Sequence, residues 1–228
     1  MHPNSQDIDA NYRRWLTLAK SGHQNMIRVW GGGIVETDHF YNLCDELGLL
    51  VWQDLLFACG NYPAHDEFCE LVREETIVQV TRIVHHPSLV LVCGDNEDVW
   101  LAGLRGWEYK EEEKTVEEWM KGNFQHRRIL ERVLPEALKV VGISEVGLEY
   151  WESSPFGGKG ANARDVGDTH AWDGGVYAYP NLASVSVVAD VVIVWHGPMR
   201  PYQFYKDLMG RFVSECTPLF HPAQPTRS

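Results

Sequence analysis

The chain has no apolar run approaching the ~18 residues that a membrane-spanning helix needs, so no membrane partner is expected. Its start, Met1-His2-Pro3-Asn4-Ser5, carries neither the basic nor the apolar segment of a secretory signal. Basic residues are scarce. There are 20 Lys and Arg against 32 Asp and Glu, a net charge of −12, which makes nucleic acid or an anionic lipid surface a poor partner. The five cysteines (Cys44, Cys59, Cys69, Cys93 and Cys216) are odd in number and form no CxxC pair. That excludes a disulfide framework or a thiolate zinc site and reads as buried free thiols in a reducing, cytoplasmic setting. No GxGxxG or Walker loop is present, because Gly31-Gly32-Gly33 closes an apolar run without the spaced glycine that follows in a phosphate cradle. The GxSxG of a serine hydrolase is missing too. His85-His86-Pro87 has no HxH or HExxH partner, and adjacent residues point to opposite sides of an extended chain. Neither a metal nor a cofactor is expected.

What remains is the composition of a globular domain: 44% apolar and 11% aromatic residues, with charges spread along 228 positions, enough for one large core. Nine tryptophans are many for this length, and those not in the core are natural platforms for sugar rings. Tyr12, Trp15, Leu16 and Ala19 fall at helical spacing. Residues 26–30 are a short apolar strand. Asp38 is placed to cap a helix with Phe40, Leu43, Cys44 and Leu47 inside and Gly48 at its end. A strand over 49–52 runs into Gln53-Asp54. A helix buries Val72, Thr76, Val80 and Ile83, and a strand over 89–93 follows. Lys110 to Lys114 reads as a charged helical face. Leu130, Val133, Leu134 and Ala137 predict another helix, 152–175 a long loop, and 184–195 a strand-like segment. Apolar strands alternating with helices predict an α/β fold with a parallel sheet.

Each candidate strand ends in glycine or polar residues: WGGG, WQD, GDNE. Active-site groups sit at such ends in a (β/α)8 barrel and in an open doubly wound sheet alike. The third end is the densest, Asp95-Asn96-Glu97-Asp98. Glu97 there suits a general acid with a pKa raised by partial desolvation, and the Asn96 amide could hold a substrate hydroxyl. Glycoside hydrolysis needs a second carboxylate, as nucleophile or as base for a water. Glu145 in GISEVG and Glu215 in GRFVSEC both qualify, and local pattern does not choose between them.

The stretches NMIRVWGGGIVETDHFYNLCDELGLLVWQDLLFACGNYP, HHPSLVLVCGDNED, YWESSPFGG, GDTHAW and VWHGPMRPYQFYKDLMGRFVSE resemble the catalytic barrel of the β-mannosidases of glycoside hydrolase family 2. The likeness runs over about residues 10–173 and 193–215. It implies a (β/α)8 barrel and retaining hydrolysis of terminal β-mannosyl residues, with a β-mannoside oligosaccharide or glycan as substrate. By position it makes Glu97 the acid/base and Glu215 the nucleophile, with Trp30, Asp54, Asn96 and Trp195 lining the sugar pocket. Motif order also resolves the second carboxylate, since Glu145 precedes SSP and GDTH whereas Glu215 follows both.

The departures are as specific as the matches. Residues 174–192 interrupt the run from GDTHAW to VWHG, VVGISEVGLEY replaces a short connection, and 216–228 replaces the Phe-Gly expected after Glu215. These junctions are expected to be errors of a gene model, such as retained introns. The expected domain is therefore a partial barrel over 1–228, about strands two to seven, with a foreign insertion and tail. An open barrel of that kind is expected to fold poorly and to lack activity on its own. Other readings are an exo-β-glucosaminidase or β-galactosidase of the same family, and a non-catalytic carbohydrate-binding or interaction fragment.

Overall fold

The computed structural model describes residues 5–110, 112–158, 161–163, 165–171 and 213–216. Helix α1 (Ser5–Ser21) buries Tyr12 and Leu16 and leads to strand β1 (Met26–Val29). Helix α2 (Asp38–Leu47) follows and ends on Gly48, whose φ of 66° is the left-handed turn that glycine takes without steric cost. Its N-cap position is Thr37, with Asp38 one residue inside; there the carboxylate meets the positive end of the helix dipole instead of capping it. Strand β2 (Leu50–Asp54), helix α3 (Asp66–Ile83) and strand β3 (Leu89–Cys93) complete a βαβαβ run. Helix α4 (Asp98–Arg105) and the short α5 (Val116–Trp119) come next.

The charged segment from Lys110 is not helical. Lys110 pairs with Glu108 and Glu113, and helix begins only after Thr115, whose hydroxyl and the Glu118 carboxylate form a reciprocal capping box. The stop-start is local chemistry overriding helix propensity. A π-helical turn (Ile129–Val133) runs into helix α6 (Leu134–Val141), where Pro135 stands at the first turn. Proline has no N–H to donate and crowds the preceding turn, which is where the ladder widens. After a 3₁₀ turn (Ile143–Val146) come strands β4 (Glu149–Trp151), β5 (Thr169–Ala171) and β6 (Val213–Cys216). Strand β5 thus lies inside the segment expected to be loop. Residues 184–195 and the insertion at 174–192 lie outside the described residues, as does the tail beyond Cys216.

Strands β1 to β4 form one parallel sheet in sequence order, and β5 and β6 form a separate parallel pair. Period-2 alternation splits the sheet's side chains between two environments. Val29, Val51 and Val92 join Phe40, Tyr41, Leu43, Val80, Ile83, Leu134 and Leu138 in the main core. Trp52, Leu91 and Cys93, with Met26 and Trp151 against them, form a smaller second cluster. Strand β2 shows the division most plainly, because Val51 goes to one cluster and Trp52 to the other. Among the described residues Cys44, Cys69 and Cys93 are buried free thiols, as expected, but Cys59 is exposed. No helix of the described residues is long and apolar enough to cross a membrane.

Leu134 is fully buried whereas Val78 on α3 is 65% exposed. Leu134→Ala is expected to lower unfolding free energy by about 2–5 kcal/mol, and Val78→Ala by less than about 0.5 kcal/mol. Urea denaturation of the two variants beside the parent checks both.

Candidate active site

The parallel sheet sends the ends of β1, β2, β3 and β4 to one edge, and that edge is where the polar side chains converge. Close backbone approach is needed there. A Cβ on Gly31 would come within 2.4 Å of the Phe57 carbonyl, and one on Gly32 would enter the Trp30 ring. Gly31 is therefore a packing requirement between two strand-end loops, and Gly32 makes room for the Trp30 ring.

Arg28 organises the edge from inside the sheet. Its guanidinium donates to both oxygens of Asp54, at 3.3 and 2.7 Å, and to Asn96 Oδ1 at 2.9 Å, and it lies over the Trp52 ring. Asp54 also accepts from Gly31 N–H and from Trp52 Nε1–H, at 3.1 and 2.7 Å. Burial pushes the Asp54 carboxyl up, while Arg28, Trp52 and Gly31 pull it down. Four donors aimed at two oxygens match the ionised acceptor, so the geometry fits an ion pair.

Glu97 follows β3 in left-handed backbone, with φ 73° and ψ −1°, at the N-cap of α4. Its N–H donates to the Ser154 carbonyl at 2.6 Å, which ties the turn to the end of β4. One carboxylate oxygen lies 3.0 Å from His170 Nδ1, and the Cys59 thiol donates to the other at 3.5 Å. The opposite His170 nitrogen, Nε2, faces Arg28 NH1 at 3.3 Å and Ser154 Oγ at 2.9 Å. A guanidinium only donates, so Nε2 must accept, and the ring proton sits on Nδ1, where it donates to Glu97. Burial and the Arg28 charge both lower the His170 pKa, against Glu97 and Asp168, which agrees with a neutral imidazole. Ser154 Oγ donates in turn to Asp168 Oδ2 at 2.8 Å.

Of the sequence-predicted residues, Glu97, Asn96 and Asp54 are brought together, linked through Arg28 and His170. Trp30 stands at the end of β1 with its ring over Gly32 and partly exposed. The backbone of Glu215 lies in β6, in register with His170 after an irregularity at Thr169/His170. Trp195 lies outside the described residues. Glu145 is exposed on the 3₁₀ turn before β4, at the opposite edge of the sheet from Glu97. The His pair has a structural part, since His86 Nδ1 holds Asp45 at 2.6 Å and stacks near Tyr41.

Arg28, Cys59, Ser154, Asp168 and His170 were missed as site residues. An arginine within an otherwise apolar strand was the one signal for Arg28. GDTH and SSP carried Asp168, His170 and Ser154 without saying what they touch, and Cys59 lay in FACGNYP with no signal of its own. Arg28→Met would leave the buried Asp54 charge without its cation, costing about 3–5 kcal/mol near neutral pH. Burial already raises the Asp54 pKa in the parent, and without the opposing Arg28 charge it rises further above its unfolded value, so protonation relieves the penalty. The gap from the parent should therefore shrink as pH falls toward about 4. Denaturation of both proteins across pH measures this.

No family model matches the chain. It is 43% identical over 205 residues to β-mannosidase B of Aspergillus fumigatus and likewise to that of Aspergillus niger, alignments covering 90% of this chain and 22% of theirs. The solved β-D-mannosidase of Dictyoglomus thermophilum is 38% identical and superposes with a TM-score of 0.67, over 90% of this chain and 21% of that one. The chain thus spans about a fifth of the length of the relatives it matches, and over that stretch it belongs to the β-mannosidase family.

Proposed function

We propose that this segment supplies both carboxylates of a retaining exo-β-mannosidase site, Glu97 as acid/base and Glu215 as nucleophile. The observation that carries the reading is Glu97, held at the sheet's C-terminal edge by His170 on one oxygen and Cys59 on the other. With His170 Nδ1–H donating to Oε1, the transferable proton belongs on Oε2. Glu97 protonates the leaving oxygen while Glu215 attacks the anomeric carbon. It then takes a proton from the water that releases the sugar. The register of Glu215 opposite His170, the residue that holds Glu97, supports bringing the two carboxylates to one site. On a retaining path their carboxyl groups should stand about 5–5.5 Å apart. Asp54 and Asn96 serve the pocket through Arg28, and Trp30 and Trp195 offer ring faces to the sugar.

The (β/α)8 barrel belongs to the same reading. The second cluster of Trp52, Leu91 and Cys93, with Arg28 in register with Trp52, has the content of a barrel interior, and helices cover the other face. The gluco and galacto readings draw no support from the two Aspergillus relatives or the Dictyoglomus structure, each named for a mannosidase.

In a full-length protein built around this segment, Glu97→Ala should slow alkyl β-mannosides by ~100-fold or more. Activated aryl β-mannosides, whose leaving groups need less protonic help, should be slowed far less. Glu215→Ala should abolish both, and Glu145→Ala should stay within a few fold. Steady-state assays on mannosides beside gluco and galacto analogues decide it; equal loss on both leaving groups in the Glu97 variant would sink the acid/base role.

A further inference from the structure

Beneath the turn that presents Glu97 lies a second cluster, separate from the residues the proposed reaction uses. Asp95 and Asp98 flank Glu97, and His126 comes from the turn before the π-helical segment. All three side chains are completely enclosed. Each carboxylate spends one oxygen on the protein. Asp95 Oδ1 accepts from Ser153 Oγ at 2.6 Å and from Asp98 N–H at 3.2 Å, and Asp98 Oδ1 accepts from Gly60 N–H at 2.7 Å. The other oxygens, Oδ2 of both, have no hydrogen-bond partner among the described residues, and neither does either nitrogen of His126. Yet Asp95 Oδ2, Asp98 Oδ2 and an imidazole nitrogen all lie within 4.8 Å of one another. Asp98 Oδ2 is 3.0 Å from His126 Nε2 but makes no hydrogen bond with it, so it lies off the axis along which a ring N–H would donate. Asp95 Oδ2 is 3.9 Å from the same nitrogen.

Two buried carboxylates side by side, each with an empty oxygen facing an imidazole, need a cation or a proton to offset them. We propose that Asp95, Asp98 and His126 form a binding site for a divalent transition cation of the zinc type. A tetrahedral ion with bonds of about 2.0–2.1 Å holds its ligand atoms roughly 3.3–3.4 Å apart, and the two distances to Nε2 bracket that spacing. Calcium and magnesium fit worse, since they want about six or more oxygens and no nitrogen. Ser153, Gly60 and the Asp98 amide do what outer hydrogen bonds do at metal sites: they fix the carboxylates through the oxygens that do not ligate. Phe57, Tyr62 and Phe124 pack around the His126 ring and set its direction. Burial raises the pKa of both aspartates, with the Asp98 charge adding to it at Asp95 and His126 opposing it at Asp98; a cation would need both carboxylates ionised. A bound ion would clamp the turn on both sides of Glu97. That consequence rests on the catalytic reading above, whereas the cation site does not.

The test reads cation binding, not turnover. A full-length protein built around this segment is stripped with chelator, dialysed against zinc chloride near neutral pH, and its bound zinc measured by plasma mass spectrometry. Expected is about one equivalent in the parent and in Cys59→Ser, and loss of it in Asp98→Asn and in His126→Ala. Because those two variants could fail to fold, the cobalt-loaded parent is measured as well. It should show the visible absorption of a nitrogen and oxygen ligand set, without a thiolate charge-transfer band. A parent that retains no zinc, variants that retain it undiminished, or a thiolate band would each overturn the proposal, leaving a proton shared by the aspartates in the cation's place.

Discussion

The Arg28–Asp54 pair is the interaction on which the rest of the edge depends. Only 12% of the Arg28 side chain and none of Asp54 reaches solvent, so both charges have been taken out of water and must find their compensation in each other and in nearby dipoles. The pair does so with components from four places: β1 and β2 supply the charges, the loop after β3 supplies Asn96, and β5 supplies His170. This converts strand pairing into site geometry. Arg28 stands opposite Trp52 in register, and a one-residue slip would turn the guanidinium toward the face where Val29, Val51 and Val92 pack under helices. A charge there would have no partner. The network that serves the site therefore also selects the register.

From Arg28 the constraint passes to Glu97 through one imidazole. Because Arg28 can only donate, His170 Nε2 must accept, and the proton left on Nδ1 has Glu97 as its acceptor. The left-handed turn at Glu97 costs of order 1 kcal/mol or more for a side-chain-bearing residue. It is held by Glu97 N–H on the Ser154 carbonyl and by the Asp98 N–H on Asp95. A carboxylate on such a turn, anchored on both sides, keeps its position when its protonation state changes.

How legible this was in the sequence differs between elements. The strand over 89–93 and the end of α2 at Gly48 could be read directly, because apolar runs and a left-handed glycine are local signals. The Lys110 segment and the π-helical turn could not, since capping at Thr115 and the proline at 135 act through geometry that periodicity does not see. Glu97 and Asn96 were legible as a polar strand end. Arg28 and His170, 142 positions apart, were not, because their meeting is a product of the fold. Glu145 and Glu215 looked alike locally. What separates them is which end of a strand each occupies: Glu145 precedes β4, and Glu215 lies within β6 opposite His170.

The three acidic residues at 95, 97 and 98 pose the sharpest question of the chain, since neighbours of one chemistry take different roles. The turn answers it. Left-handed backbone at Glu97 sends that carboxylate to His170 and Cys59 at the edge, while Asp95 and Asp98 turn inward to Ser153, Gly60 and His126. The inner pair loses water entirely, and burial pushes both carboxyls up, so at neutral pH they cannot both stand charged and unpaired. Whatever neutralises them, cation or proton, also sets the charge felt by Glu97, which lies within two residues of both. In its proposed acid/base role Glu97 must keep its proton until the leaving group needs it, and a negative pair beneath it would favour that while a compensated one would not. The composition of the inner cluster and the acidity of the edge are thus one electrostatic problem.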